Sequence, residues 1–150
     1  MWKEQAVIDW TAFMLISYKR WTGQDLIWRR SRQFDAQTLY QDRRVVVSHG
    51  LGDDPIFNYA NAAAQSLWGM DWQQFIFTPS RLSAPPVDRD ERAAALQRTT
   101  DLGFVANYAG IRVTADGRRF QIQDAVVWNV FRDQTVFVGQ AAMIPRWNFL

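Results

Sequence analysis

Apolar and polar residues alternate on both sides of the pair Asp116-Gly117, and this alternation is the clearest pattern in the chain. An Asp-Gly pair at the centre of a two-residue loop favours a type I′ turn, which predicts a β-hairpin over residues 109–130. The register of that turn gives an apolar face with Ala115 opposite Arg118, Val113 opposite Phe120 and Ile111 opposite Ile122. It gives a polar face with Thr114 opposite Arg119, Arg112 opposite Gln121 and Gly110 opposite Gln123. The hairpin is therefore predicted to lie in an antiparallel sheet with one solvated side.

Two helices are predicted before the first strand. Apolar positions at three- and four-residue steps indicate an amphipathic helix, on the stripe Trp2, Ala6, Trp10, Phe13 and Met14, followed by Ser17. Thr22 and Asp25 match a capping box, which predicts a second helix that runs to about Tyr40. Basic side chains cluster on and after this second helix, namely Arg29, Arg30, Arg32, Arg43 and Arg44. A solvated helix face is favoured for this cluster over a DNA-binding surface.

The rest of the chain is predicted to add strands and short helices in a definite order. Two short strands, Val45–Val47 and Ile56–Tyr59, form an edge hairpin. Next come two helices, capped by Asn61 and Asp71, and a proline-rich loop over 78–87. A helix from Asp88 to about Leu102 and a last strand, Val136–Ile144, complete the order. This order predicts an α+β fold: a five-stranded antiparallel sheet with helices on one face and two N-terminal helices. We expect an N-terminal helical extension over 1–43 and a compact domain over 44–150.

Composition limits the class of protein. With 150 residues, 48% of them hydrophobic and 15% aromatic, the chain can fill one core. A net charge of +2 does not predict binding to a polyanion, so no nucleic-acid partner is expected. No apolar run is long enough to span a membrane, and acidic residues interrupt any leader-like segment, so a soluble, cytoplasmic protein without a membrane partner is expected.

Few residues could support catalysis. The single His49 follows Ser48 directly, and neighbouring residues of a strand point to opposite faces, so the two cannot form a nucleophile and its base. A turn histidine is favoured. One histidine and no cysteine exclude a structural zinc site, and the glycine-rich phosphate loops are missing. We expect neither an enzyme nor a metal site.

Polar residues at predicted core positions suggest a binding site instead. The hairpin register places Asp124 on the same face as Ile122, although a β-bulge or an arginine partner would turn it outward. Gln140 lies within the apolar run of the last strand, where its amide could contact a flat ligand or a neighbouring strand. Trp128 offers an aromatic wall close by.

Several separate segments resemble the MEKHLA domain family. They are Val46-Val47-Ser48-His49, Asp54-Pro55-Ile56-Phe57-Asn58-Tyr59-Ala60-Asn61, Tyr108-Ala109-Gly110-Ile111-Arg112, Gly117-Arg118-Arg119-Phe120, Val127-Trp128-Asn129 and Gly139-Gln140-Ala141-Ala142. The family is similar to PAS domains, so the resemblance implies a PAS-like domain over 44–150. It also implies sensing or regulation. Chromophores attached through cysteine are excluded because the chain has none. A non-covalent flavin or a metabolite stays possible, with Gln140 at the position where a glutamine of similar flavin domains contacts the ring.

The leading hypothesis is a sensory or regulatory module that binds a small molecule non-covalently between sheet and helices. The ligand is unknown, and the predicted binding residues are Phe104, Ile122, Asp124, Trp128 and Gln140. The alternative is an interaction or dimerisation module with a filled core. In that case the N-terminal helices would bind a protein partner or a second copy of the chain through Trp2, Trp10, Phe13 and Met14.

Overall fold

A computed structural model describes all 150 residues as helices packed on both sides of one antiparallel sheet. The helices are α1 (Gln5–Thr22), α2 (Arg32–Tyr40), α3 (Ala62–Trp68), α4 (Trp72–Phe75) and α5 (Arg89–Leu102). The strands are β1 (Val45–His49), β2 (Phe57–Ala60), β3 (Phe104–Val113), β4 (Arg119–Arg132), β5 (Val136–Ile144) and β6 (Arg146–Phe149). No helix has both the length and the hydropathy that crossing a lipid bilayer requires.

The sheet has the order β2-β1-β5-β4-β3, and every pair of neighbours is antiparallel. This arrangement confirms the predicted α+β class and the edge hairpin of β1 and β2. The short strand β6 was not predicted. It follows β5 after Pro145 and pairs with the first half of β4, where Phe149 lies opposite Phe120.

The predicted register of the central hairpin is wrong by one residue. Arg112 lies opposite Phe120 and Val113 opposite Arg119. The loop has three residues rather than two, because the Thr114 amide donates to the Arg118 carbonyl. Gly117, at φ 91°, takes the left-handed conformation that such a loop needs at its third position. Because a one-residue shift exchanges the faces of a strand, Arg112 points into the core instead of into solvent.

The predicted second helix from Thr22 is also wrong at its start. Thr22 is the last residue of α1, and its hydroxyl donates to the Tyr18 carbonyl instead of capping a new helix. Gly23, at φ 76°, ends α1 in the left-handed conformation, which a glycine adopts without strain. The true cap of α2 is Ser31, whose hydroxyl accepts from the Phe34 amide. The chain between the two helices is irregular.

Two apolar cores lie on opposite faces of the sheet. The inserted helices α3, α4 and α5 cover one face around Trp68 and Phe120. Helices α1 and α2 cover the other face, where Met14 and Leu15 pack with Trp128. The helices after β2 therefore share one face as predicted, while the N-terminal pair closes the second.

Most of the basic cluster near the N-terminus is paired with carboxylates. Arg29 contacts the buried Asp35 at 2.8 Å, and the same carboxylate accepts from the Arg30 backbone amide. Arg32 lies 3.5 Å from Asp9. Arg44 contacts Asp42 at 2.8 Å, which lowers the pKa of that carboxyl against the opposing effect of its burial. Much of the positive charge is thus balanced locally.

Candidate functional site

A cavity of about 50 Å³ lies between the helix-covered face of the sheet and α5. By comparison, a buried water needs roughly 10–15 Å³ of such space. Apolar side chains form much of the wall. The polar and aromatic side chains that line the cavity include His49, Trp68, Arg92, Tyr108, Arg112 and Gln140.

One side of the cavity is a row of polar residues across three neighbouring strands. His49 on β1 is paired with Gln140 on β5, which is paired with Asn129 on β4. The Gln140 amide nitrogen lies 3.0 Å from Asn129 Oδ1, 3.0 Å from Thr100 Oγ1 and 3.2 Å from the Leu96 carbonyl. An amide nitrogen has only two hydrogens, so the protein itself uses the donor capacity of Gln140.

Arg112 is buried in the cavity wall because of the three-residue hairpin loop. Its guanidinium donates to its neighbour's carbonyl, Ile111 O, at 2.8 Å and to the Tyr108 hydroxyl at 3.2 Å. That hydroxyl donates in turn to Glu91 on α5 at 2.8 Å. Burial raises the pKa of Tyr108, so its phenol stays protonated as a donor. Arg112 has no carboxylate within ion-pair distance although it is nine-tenths buried.

Arg92 supplies a second buried guanidinium from the first half of α5. The residue is 9% exposed, and its side chain donates to no protein atom and contacts no carboxylate. Burial lowers the pKa of Arg92 to about 10, and the charge of Arg112 contributes to that shift. Arg92 is therefore charged at neutral pH, and it lies beside Arg112 at the edge of one cavity.

His49 lies at the end of β1 with one ring nitrogen unpaired. Because a carbonyl can only accept, Nδ1–H donates to the Gly50 carbonyl at 2.8 Å. Nε2 is then an acceptor, and it has no partner. Burial lowers the pKa of His49 to about 4, with Arg92 adding to the effect, so the ring is neutral at pH 7. The Trp68 indole N–H, which also belongs to a cavity residue, is likewise buried without a partner.

The structure brings two of the five predicted binding residues, Ile122 and Gln140, to this cavity. Phe104 and Trp128 lie opposite each other on β3 and β4 but face α1 and its core, on the other side of the sheet. Trp128 donates its indole hydrogen to the Met14 carbonyl at 3.0 Å, so α1 covers this side chain. Their predicted place in the pocket is corrected, because consecutive strand residues alternate between faces.

Asp124 is also outside the cavity. It has φ 56° at an irregularity of β4, where the pairing with β3 shifts between Tyr108 and Gly110. The side chain is turned outward, is 43% exposed and pairs with Arg146. The bulge and the arginine partner that the sequence left open as an alternative are therefore both present.

Sequence reasoning missed the charged side of the cavity. The signal for Arg112 was its two-residue spacing from Gly110 and Tyr108, which share its face once the loop has three residues. The signal for Arg92 was helical spacing, because Arg92, Ala95 and Thr99 are the buried stripe of α5. His49 was assigned to a turn, although it ends a buried strand.

Comparison with solved structures defines the class of the fold. The PAS domain of a protein from Colwellia psychrerythraea superposes with a TM-score of 0.65 at 16% identity, over 75% of this chain and 92% of that one. A light-oxygen-voltage domain studied with a flavin analogue superposes with a TM-score of 0.61 at 13% identity, over 77% of this chain and 83% of that one. The fold is that of PAS and light-oxygen-voltage domains.

The sequence itself identifies the family within that class. Residues 8–149 match the MEKHLA domain, so the chain belongs to the MEKHLA domain family and the suspected resemblance is confirmed. Homeobox-leucine zipper protein HOX32 of Oryza sativa subsp. indica is 26% identical over 141 residues. The matched segment is 89% of this chain and 16% of that much longer protein. The match begins at residue 8 and so includes most of α1.

Proposed function

We propose that this MEKHLA domain is a regulatory module that binds a small molecule non-covalently in the cavity between the sheet and α5. The observation that carries the proposal is a cavity with polar groups that have no partner in the protein: His49 Nε2 and the Trp68 indole N–H are buried without one, and the Arg92 guanidinium forms no hydrogen bond. Buried polar groups are normally paired, and a ligand is one way to pair them. The presence of the family within a homeobox-leucine zipper protein supports a regulatory role.

The dimensions of the cavity favour a ligand much smaller than a flavin. Sites for drug-sized ligands are roughly 300–1,000 Å³, whereas this cavity is about 50 Å³. Gln140 has no amide hydrogen left for a ring edge, because its nitrogen contacts Asn129, Thr100 and Leu96. A flavin therefore does not fit the residues present, and a small metabolite is the ligand that we propose.

Binding is a better interpretation than catalysis. Two serines line the cavity, and both hydroxyls are engaged within the protein: Ser83 donates to the Ser80 carbonyl at 2.7 Å and Ser48 to Asn58 at 2.6 Å. Neither hydroxyl is paired with His49, so the arrangement of a nucleophile and its base is not formed. We therefore propose that the module senses its ligand without transforming it.

Native and denaturing mass spectra of freshly purified protein test this proposal. Ala95 lines the cavity and is buried, whereas its neighbour Ala94 is exposed on the same helix. Ala95→Leu fills the cavity, and Ala94→Leu is a matched control. We expect a small adduct on the wild type and on Ala94→Leu that is lost on denaturation and reduced in Ala95→Leu. An adduct of equal occupancy on folded Ala95→Leu would contradict the proposed location.

A second candidate function, self-association through the N-terminal segment, rests on exposed aromatic residues. Trp28, between α1 and α2, is 82% exposed, and Phe34 on α2 is 55% exposed. The residues first expected to contact a partner are less available, because Met14 is buried and Trp10 and Phe13 are half-buried. We propose that Trp28 and Phe34 contact a second copy of the chain. Light scattering should then give a dimer for the wild type and a monomer for Trp28→Ala with Phe34→Ala.

A further inference from the structure

We propose that the ligand of the cavity is a short-chain carboxylate, whose anionic group binds between Arg92 and Arg112 and whose apolar part packs against Ile122 and Val127. This inference rests on the proposed function, since it names the chemical class of the ligand for the same cavity. All four residues line that cavity.

The cavity wall carries two positive charges. Arg92 and Arg112 are residues that are nine-tenths buried, and neither forms an ion pair with a carboxylate. Isolated buried charges are unfavourable, and two like charges at one cavity are more so, unless an anion balances them. Glu91, the acidic residue that accepts from the Tyr108 hydroxyl, is exposed and forms no ion pair with either arginine.

The two guanidinium groups have donors that the protein does not use. A guanidinium has five N–H groups, and Arg112 gives only two hydrogen bonds to the protein, to Ile111 O and to Tyr108 Oη. Arg92 gives none. A carboxylate is the planar acceptor that a guanidinium binds best, through two parallel hydrogen bonds. His49 is neutral at pH 7 and adds no charge.

The volume of the cavity limits the size of the ligand. A cavity of about 50 Å³ has room for roughly three to five water-sized groups. A carboxylate with a tail of one or two carbons fills such a space, and the side chains of Ile122, Val127 and Ile144 provide apolar contacts for the tail. A nucleotide or a large aromatic acid would not fit.

Calorimetric titration of the full chain with sodium propionate tests the proposal against propionamide, a neutral molecule of nearly the same shape. Sodium chloride keeps the ionic strength equal in all titrations. We expect saturable binding of propionate and at least tenfold weaker binding of propionamide, because the amide lacks the charge that the two guanidinium groups balance.

Two variants on α5 test whether Arg92 is responsible for propionate binding. Arg92→Met should weaken propionate binding at least tenfold, whereas Arg98→Met, at an exposed position of the same helix, should leave it unchanged. The melting temperature of ligand-free Arg92→Met should be equal to or above that of the wild type, because the change removes an unpaired buried charge. If Arg92→Met does not fold, Arg92→Lys keeps the charge but loses the planar fork and should still weaken binding.

The outcomes separate this inference from the proposed function. If propionamide or 1-propanol binds as well as propionate, and Ala95→Leu abolishes that binding, the carboxylate inference is overturned while the small-molecule cavity stands. Propionate binding that is unchanged in folded Arg92→Met and Arg112→Met would also overturn it. If no probe binds and native mass spectra show no adduct, the inference and the proposed function both fail.

Discussion

Gln140 on β5 and Asn129 on β4 are joined by a side-chain hydrogen bond of 3.0 Å across the middle of the sheet. The same Gln140 nitrogen contacts Thr100 and the Leu96 carbonyl on α5. This one amide therefore holds the helix to the sheet at the side of the cavity. The relationship makes Gln140 a structural residue of the cavity wall rather than a free donor for a ligand.

Removing that amide should destabilise the fold. Gln140→Leu leaves Asn129 Oδ1 buried without its donor, which costs about 1–3 kcal/mol. Urea unfolding followed by tryptophan fluorescence measures the change in the free energy of unfolding. Gln121→Leu on β4, which is half-buried and has no side-chain partner, is the matched control and should change it by less than about 0.5 kcal/mol. Equal stability of Gln140→Leu and the wild type would contradict the structural role.

Trp128 should affect stability but not ligand binding. Trp128→Phe removes the hydrogen bond to the Met14 carbonyl and leaves a small void under α1, which together cost about 1–3 kcal/mol. Because Trp128 faces α1, the adduct in native mass spectra should persist in the folded variant. Trp28→Phe, at an exposed position, should leave the free energy of unfolding unchanged. Loss of the adduct in folded Trp128→Phe would indicate that the ligand binds on the α1 side of the sheet, which would contradict the proposed cavity on the α5 side.

The single histidine gives a defined pH dependence. The pKa of His49 is about 4 in the folded chain, mainly through burial, against 6.5 for an ordinary histidine. The unfolded state therefore binds more protons between these values, and stability is lost as the pH falls from 6.5 towards 4. Protonation of His49 should lower the free energy of unfolding by about 3 kcal/mol in total. His49→Gln should remove that part of the pH dependence of the free energy of unfolding.

Nuclear magnetic resonance checks the same prediction directly. Since His49 is the only histidine, its ring signals can be assigned without ambiguity and titrated in the folded protein. Arg92 is the charged group that acts on the ring, so Arg92→Met should raise the measured pKa. A pKa near 6.5 in the wild type would contradict the buried position of the ring.

Helix α1 should be essential for folding. Leu15 is buried in the core that α1 shares with the sheet, so Leu15→Ala should cost about 2–5 kcal/mol, and Ile16→Ala, at a half-buried position, less. Deleting residues 1–22 would expose the face around Trp128 and Val130, and we expect an aggregated or unfolded chain. Residues 1–43 and 44–150 are therefore proposed to unfold together. A folded, monomeric chain after that deletion would show two independent units instead.

The fold was predictable because several local signals agreed with the final structure. The signals are the caps Asn61 and Asp71, the alternation in β4 and the apolar run of β5. Each acts over a few residues, and together they define the order of elements. The register of the central hairpin was not predictable from the Asp-Gly pair alone. Loops of two and three residues both accept glycine after aspartate, and Phe120 faces the core in either register. The observed loop is fixed by a long-range contact, in which the Ala115 amide donates to the Trp68 carbonyl at 2.8 Å.

The candidate site was less predictable than the fold. A binding residue is recognised by the face on which it lies, and a shift of one residue moved Arg112 from solvent to the cavity. Asp124 also lies on a different face from the one predicted, because the left-handed conformation of its backbone turns the side chain outward. The sequence did not distinguish Arg92 from a solvated helix residue, because the burial of its side chain depends on how α5 packs on the sheet.

The central claim, that a small molecule binds on the α5 side of the sheet, is tested most directly by nitrogen-proton correlation spectra of the labelled protein during a propionate titration. We predict that the Nε–H signals of Arg92 and Arg112 and the ring of His49 shift, while the Trp128 indole signal stays in place. Shifts at Trp128 without shifts at Arg92 and Arg112 would contradict the account.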